Sequence, residues 1–161
     1  MEIRKRAEWL NPPKTCDICK SPNVTFQNNK VLYKKSIGNW PYIWICRSCG
    51  AAIGCHFGTK YPLGKMADLK TRQARAKAHK WFDQLHQQSG LTTRTGAYTW
   101  LANAMGLSRA KCHIGHFTSE QCEEVIRLSK KKLKQGKPRK ERMTHIRGRK
   151  VVKPGERRKH K

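Results

Sequence analysis

The chain is predicted to be an α+β protein: a small antiparallel sheet, then a three-helix segment, then a basic C-terminal tail. Three observations predict it. Two Cys-x-x-Cys pairs bracket short alternating apolar runs, helical periodicity takes over near residue 65, and the last stretch has no apolar periodicity. The boundaries that follow are 1–64 for the sheet module, 65–136 for a helical module packed on it, and 137–161 for the tail. A length of 161 residues with 37% hydrophobic content suits one domain, or two small modules sharing a core. Mean hydropathy of −0.83 is too low for one core to take in the whole chain.

In the first module, Val24 and Phe26 fall on one face of a first strand, "QNNK" reads as a turn, "VLYK" as a second strand and "YIWIC" as a third. Cys16-Asp-Ile-Cys19 and Cys46-Arg-Ser-Cys49 lie 26 residues apart across this pattern. A two-residue spacer lets both sulfurs of a pair turn toward one point. Two such pairs brought together by a sheet supply four thiolates at tetrahedral angles. This is the spacing of a zinc ribbon, with one Zn²⁺ held by Cys16, Cys19, Cys46 and Cys49 and no coordination position left for substrate. The metal has a physical task, because some 40 ordered residues bury too little apolar surface to fold alone, and structural zinc contributes on the order of 10 kcal/mol. The same spacing also serves redox pairs and iron–sulfur clusters. A thioredoxin-like pair, its thiols activated by Lys14, Lys20 and Arg47, would need a βαβ pattern that is missing here.

The helical module opens at Asp68, a cap for a helix over roughly 69–88 whose apolar stripe is Ala74, Ala78, Trp81, Phe82 and Leu85. Lys70, Arg72, Arg75, Lys77 and Lys80 occupy its flanks and back. After "SGLTTRTG", a second helix runs through "AYTWLANAM" to Gly106. Tyr98, Leu101, Ala102 and Met105 make its stripe, but Ala97, Trp100 and Ala104 leave it apolar on nearly all sides, which predicts the central helix of this half. The third helix starts after Thr118 and turns Cys122, Val125, Ile126 and Leu133 inward, with Gly136 and Pro138 as stops. Acidic residues at its start and lysines at its end suit the helix dipole. Thr118 and Gln121 have capping-box spacing, and Phe117 and Cys122 that of a hydrophobic staple.

Lys and Arg number 36 against 10 Asp and Glu, a formal charge of +26. Such an excess points to a polyanionic partner, DNA or RNA. Residues 130–161 hold 16 Lys or Arg and 2 Glu, and read as a disordered basic tail. Basic runs are more often a solvated face than a reader of anything, but a charge this large weakens that alternative. The expected contacts are Lys34, Lys35, Arg47, Lys70, Lys77, Lys130, Lys131, Lys132 and Lys134, and in the tail Arg139, Arg142, Arg147, Arg149, Arg157 and Arg158. In "WPYIW", alternation puts Trp40, Tyr42 and Trp44 on one strand face. That stripe is either a platform on which unpaired bases stack or, as favoured here, a face packed on the Trp81/Phe82 stripe of the first helix.

The segments "CDICKSPNV", "WICRSCGAAIGCHFGTKYPLG", "ARAKAHKWFDQL" and "AYTWLANAMGLSRAKCHIGHFTSEQCEEVI" resemble, in that order, a family of phage and prophage zinc-finger-containing proteins. The likeness covers about residues 14–128. Its most specific pieces are the "GCH-x-GT-x-x-PLG" and "CHIG" blocks. It implies a small phage protein with an N-terminal zinc ribbon on Cys16, Cys19, Cys46 and Cys49, acting in the host cytoplasm.

Other Cys and His residues invite a second metal site between the halves. Cys55 and His56 are candidates to join Cys112, His113, His116 and Cys122, the alternative being small buried thiols and hydrogen-bonded histidines. His79 and Asp83, at i and i+4, look like an acid/base pair, though a surface hydrogen bond is the commoner use. No nucleophile elbow, P-loop or paired carboxylates occur, and ten acidic residues are few for a two-metal nuclease. No run is long and apolar enough to span a bilayer, and the N-terminus has no export signal, so a cytoplasmic protein without membrane contact is expected. The leading expectation is a non-catalytic nucleic-acid-binding protein. An interaction protein that docks on host or phage transcription or translation machinery comes second, and a nuclease or nuclease accessory third.

Overall fold

A computed structural model describes residues 9–87 and 93–135. The tail and its six arginines therefore lie outside the described residues. Within them an antiparallel three-stranded sheet precedes the helices. Its strands β1 (Val24–Asn28), β2 (Tyr42–Cys46) and β3 (Ala52–Gly54) lie in the order β1-β2-β3. The register pairs Phe26 with Trp44, Asn28 with Tyr42, and Trp44 with Ile53.

The expected second strand, "VLYK", is a single helical turn, α1 (Lys30–Tyr33), and the third strand comes from Ala52–Gly54 instead. The two asparagines before it account for the difference. Asn28 Oδ1 accepts from Lys30 N–H and Ser36 Oγ, both at 2.9 Å. Buried Asn29 gives its amide to the Ile37 carbonyl at 2.8 Å and accepts from Ile37 N–H at 3.0 Å. Short polar side chains thus bond the local backbone and close an excursion over residues 30–40 in place of a ladder. Leu32 from that turn covers the inner sheet residues Ile43, Ile45 and Ala52.

The helical half contains α2 (Leu69–Gln87), α3 (Arg94–Ala104) and α4 (Ser119–Gln135). Asp68 caps α2, its Oδ1 accepting from Thr71 N–H at 2.8 Å. This bond holds the exposed carboxyl below its usual pKa. Thr93 caps α3, and Gly106, at φ +65°, turns the chain out of it. The helix predicted to be central is not: Ala104 is exposed, and α2 takes that place, its longest packing partner being α4. Ala78, Phe82 and Leu85 of α2 meet Cys122 and Val125 of α4, while Ala97, Tyr98, Leu101 and Ala102 of α3 complete the core. The reason lies in α4, whose apolar stripe needs a long partner, and α2 is the longest helix. Trp81 sits outside this core, half-buried beneath Lys130, whose Nζ is 4.6 Å from the ring centroid.

Two short 3-10 turns, Arg109–Lys111 and Ile114–His116, join α3 to α4. The second locks the halves together. A Cβ on Gly115 would meet the Leu63 carbonyl oxygen at 2.7 Å, and one on Gly64 would overlap the Gly115 carbonyl. Lys65 N–H donates to Gly115 O at 3.1 Å, and Arg75, largely buried, donates to the carbonyls of Lys65 and Phe117 at 2.7 and 2.9 Å. The "PLG" and "CHIG" blocks are therefore one backbone-to-backbone contact, made where only glycine leaves room.

Candidate metal centre

The two Cys-x-x-Cys segments are near copies in backbone geometry. In the first, Cys16 N–H donates to Ser21 O at 2.9 Å and Lys20 N–H to Cys16 O at 3.0 Å. In the second, Cys46 N–H donates to Ala51 O at 2.8 Å and Gly50 N–H to Cys46 O at 2.9 Å. The residue after each second cysteine is left-handed, Lys20 at φ 61° and Gly50 at φ 76°. This turn points both sulfurs of a pair inward, and β1 pairing with β2 sets the two turns face to face, where Ser21 Oγ and Ser48 Oγ bond at 2.8 Å.

The four sulfurs all lie within 4.8 Å of one another. Cys16 and Cys49 are 3.6 Å apart, as are Cys19 and Cys46. Tetrahedral Zn–S bonds of about 2.3 Å separate thiolates by about 3.8 Å, so the cage fits zinc. Ile18 N–H donates to Cys16 Sγ at 3.4 Å. Burial raises the Cys46 thiol, but the N–H groups of Cys49 and Ser48 and the thiols of Cys19 and Cys49 outweigh it and bring it to about 6. Cys49 is bonded by Ala51 N–H, yet desolvation and the other three thiols push it up to about 12. Thiolates this crowded need a cation to ionise together. Four protein ligands close the coordination sphere, and the centre is structural, with Cys16 and Cys46 packed against Ala51 and Met66. Asp17, inside the first pair, accepts Met66 N–H at 2.7 Å and ties the metal knuckle to the segment that leads into α2.

The six other candidates do not gather. Among the described residues the four ribbon cysteines are the one group of three or more ligand atoms so close together. Cys112 and Cys122 are buried in the helical core, and burial pushes Cys122 up to about 11. Cys55, at about 12 for the same reason, donates to Lys60 O at 3.8 Å. His56 stacks on Trp9 at 4.0 Å, and the rings of His113 and His116 are 5.5 Å apart. The expected His79–Asp83 pair is also displaced, since Asp83 lies 3.3 Å from His86 Nε2.

The aromatic stripe of β2 does not pack on α2. Trp40 and Trp44 give their indole N–H groups to the carbonyls of Thr59 and Lys60 at 2.9 and 2.8 Å, and Phe26 stacks on Tyr42 at 5.4 Å. All three β2-side aromatics remain half-buried, because the loop over residues 56–61 covers only part of the face, with Lys60 Nζ 5.5 Å above Phe26. Lys34, Lys35, Arg47, Lys70, Lys77, Lys130, Lys131 and Lys134 are exposed, and Lys132 is half-buried with Nζ 5.9 Å from the Trp100 ring. Sequence reasoning missed a second cationic group, in which Arg72, Arg75 and His79 line one cleft with Arg94 and Arg109. The signal was their i, i+3, i+7 spacing, which places the first three on one helical face.

Comparison with curated proteins and with solved structures finds no match. The model of a zinc-finger-containing domain matches residues 12–132, a span that holds the four cysteines, the Gly64–Gly115 contact and nearly all of α4. The chain belongs to that zinc-finger-containing family.

Proposed function

We propose that the protein is a non-catalytic nucleic-acid-binding protein, its zinc ribbon serving to hold a basic surface in shape. The observation that carries this reading is the charge of +26 on 161 residues, which zinc with four thiolates lowers by only about two. Two features support it. Lysines of α2 and α4 are exposed, and the half-buried Phe26, Tyr42 and Trp44 beside Lys60 have the makings of a stacking platform for unpaired bases. The phage setting implied by the sequence resemblance would place this binding in a host cytoplasm. Fluorescence anisotropy with labelled single- and double-stranded DNA and RNA tests the reading. Binding is expected to fall roughly 10³-fold or more between about 50 and about 200 mM salt, and to drop when residues 137–161 are removed. Affinity indifferent to salt would overturn it.

A second reading, docking on transcription or translation machinery, is favoured by Val31, Tyr33 and Ile37, apolar residues left exposed on the 30–40 excursion. It predicts a protein that stays bound through nuclease treatment and high salt in a pull-down. A nuclease would instead show divalent-metal-dependent cleavage lost on replacing His113 or His116.

A further inference from the structure

A cleft of about 840 Å³ lies where the ribbon meets the helices, and none of the described residues lining it is acidic. Its arginines come from separate segments: Arg72 and Arg75 from α2, Arg94 from the start of α3 and Arg109 from the first 3-10 turn, with His79 and His116 beside them. Nε and Nη1 of Arg72 are buried with no hydrogen-bond partner among the described residues. The other arginines of the cleft have partners, Arg75 as a buried residue and Arg94 and Arg109 as exposed ones. Arg75 has two carbonyls, and Arg94 and Arg109 lie 5.7 and 4.8 Å from the Tyr98 ring. Of the carboxylates with electrostatic reach to this region, Asp17 accepts Met66 N–H and Asp83 lies beside His86, while Asp68 accepts Thr71 N–H and also acts on Arg72 through space without bonding it. Burial holds His79 below its usual pKa. Burial, His113, Lys65 and Arg75 do the same for His116.

We propose that this cleft binds a nucleotide phosphate, its oxygens taken by Arg72 and Arg109 and its ring placed toward Trp9 and the exposed Phe57, which line the same cleft. A guanidinium with unsatisfied N–H donors at the edge of a cleft supplies full charge and hydrogen bonds to phosphate oxygens. The volume exceeds what a bare anion needs and lies in the range of small-molecule sites. The described residues that line the site include none of the surface lysines, so it stands or falls independently of general nucleic-acid binding. A free mononucleotide and the phosphorylated end of a strand present the same chemistry.

The test uses the full-length, zinc-loaded protein in moderately high salt, which suppresses diffuse binding. Melting temperature and calorimetry are followed against inorganic phosphate, adenosine monophosphate, and short oligonucleotides with a 5′-phosphate or a 5′-hydroxyl. Saturable binding to the phosphate-bearing probes is expected, weakened by roughly tenfold or more in Arg72→Leu and in Arg109→Gln and unchanged in Lys30→Gln, an exposed position that does not line the cleft. Arg72→Leu also separates binding from folding. Removing unpartnered buried polar atoms should leave the ligand-free melting temperature unchanged or raised, while the ligand-induced rise disappears. The tighter of the mononucleotide and the 5′-phosphorylated strand identifies the source. No saturable binding at millimolar probe, binding retained in both arginine variants, or an equal loss in Lys30→Gln would overturn the assignment.

Discussion

Cysteines concentrate in two parts of this molecule, and the parts use them in opposite ways. At Cys16–Cys19 and Cys46–Cys49, two matching turns bring four sulfurs within 4.8 Å, where backbone N–H groups support negative charge. Between residues 112 and 122 the cysteines are as close in sequence to potential partners, yet Cys112 and Cys122 each fill a place in the apolar core. There burial raises both thiols, and Cys122 behaves as the inward residue of a helix entry. Ligand chemistry thus depends on whether the local backbone aims the sulfurs at a common point and offers them donors. Short spacing between Cys and His residues is not enough.

Removing the metal should break the first region and leave the second closer to intact. Chelation, or Cys16→Ser, takes away a contribution on the order of 10 kcal/mol to the ribbon. We expect loss of the sheet's circular-dichroism and indole-fluorescence signals, with one zinc released per chain by atomic absorption. Cys122→Ala should retain one zinc per chain and change stability by much less, about 1 kcal/mol for a small buried thiol. Two zinc ions per wild-type chain would end the distinction. The seam between the halves ranks next. Gly64→Ala and Gly115→Ala each put a Cβ into a facing carbonyl, and a cost of roughly 2–4 kcal/mol is expected in denaturant unfolding. Gly38→Ala, with φ at +86° but nothing near the added carbon, should cost only about 1 kcal/mol.

What the sequence discloses differs between the regions for physical reasons. The metal centre is legible because a two-residue spacer restricts where two sulfurs can point, and the entry of α4 because capping is local. Thr118 and Gln121 do exchange bonds, Thr118 N–H to Gln121 Oε1 at 3.0 Å and Gln121 N–H to Thr118 Oγ1 at 3.3 Å. Strand "VLYK" is misread because its fate is decided by side-chain bonds from Asn28 and Asn29 to residues up to eight positions away, which alternation does not encode. The aromatic stripe is read correctly as one face but not as to its cover, since the loop over residues 56–61 gets there through two carbonyls that any sequence would supply. Least legible is the cleft, whose arginines come from three separate segments and meet only through tertiary packing.

Smaller effects sharpen the comparison further. Thr118→Ala should destabilise by about 1 kcal/mol through the lost cap, without altering zinc content, which marks the 112–122 region as helix entry and not metal site. The finest test lies within the metal centre, where the two knuckles share one backbone turn but fill its left-handed position differently. Lys20 sits at φ 61°, a conformation that costs a residue with a Cβ roughly 1 kcal/mol or more, whereas Gly50 occupies the equivalent place freely. Lys20 gains back part of that by giving its Nζ to Asp17 O at 2.7 Å, an exposed bond that water can largely replace. Lys20→Gly should therefore stabilise the zinc-loaded protein by up to about 0.5 kcal/mol, and Gly50→Ala should destabilise it by about 1 kcal/mol. Competition with a chromogenic chelator reads the same difference as tighter and weaker zinc retention. Equal responses in both variants would mean that the two turns, alike in their hydrogen bonds, are not alike in the strain they carry.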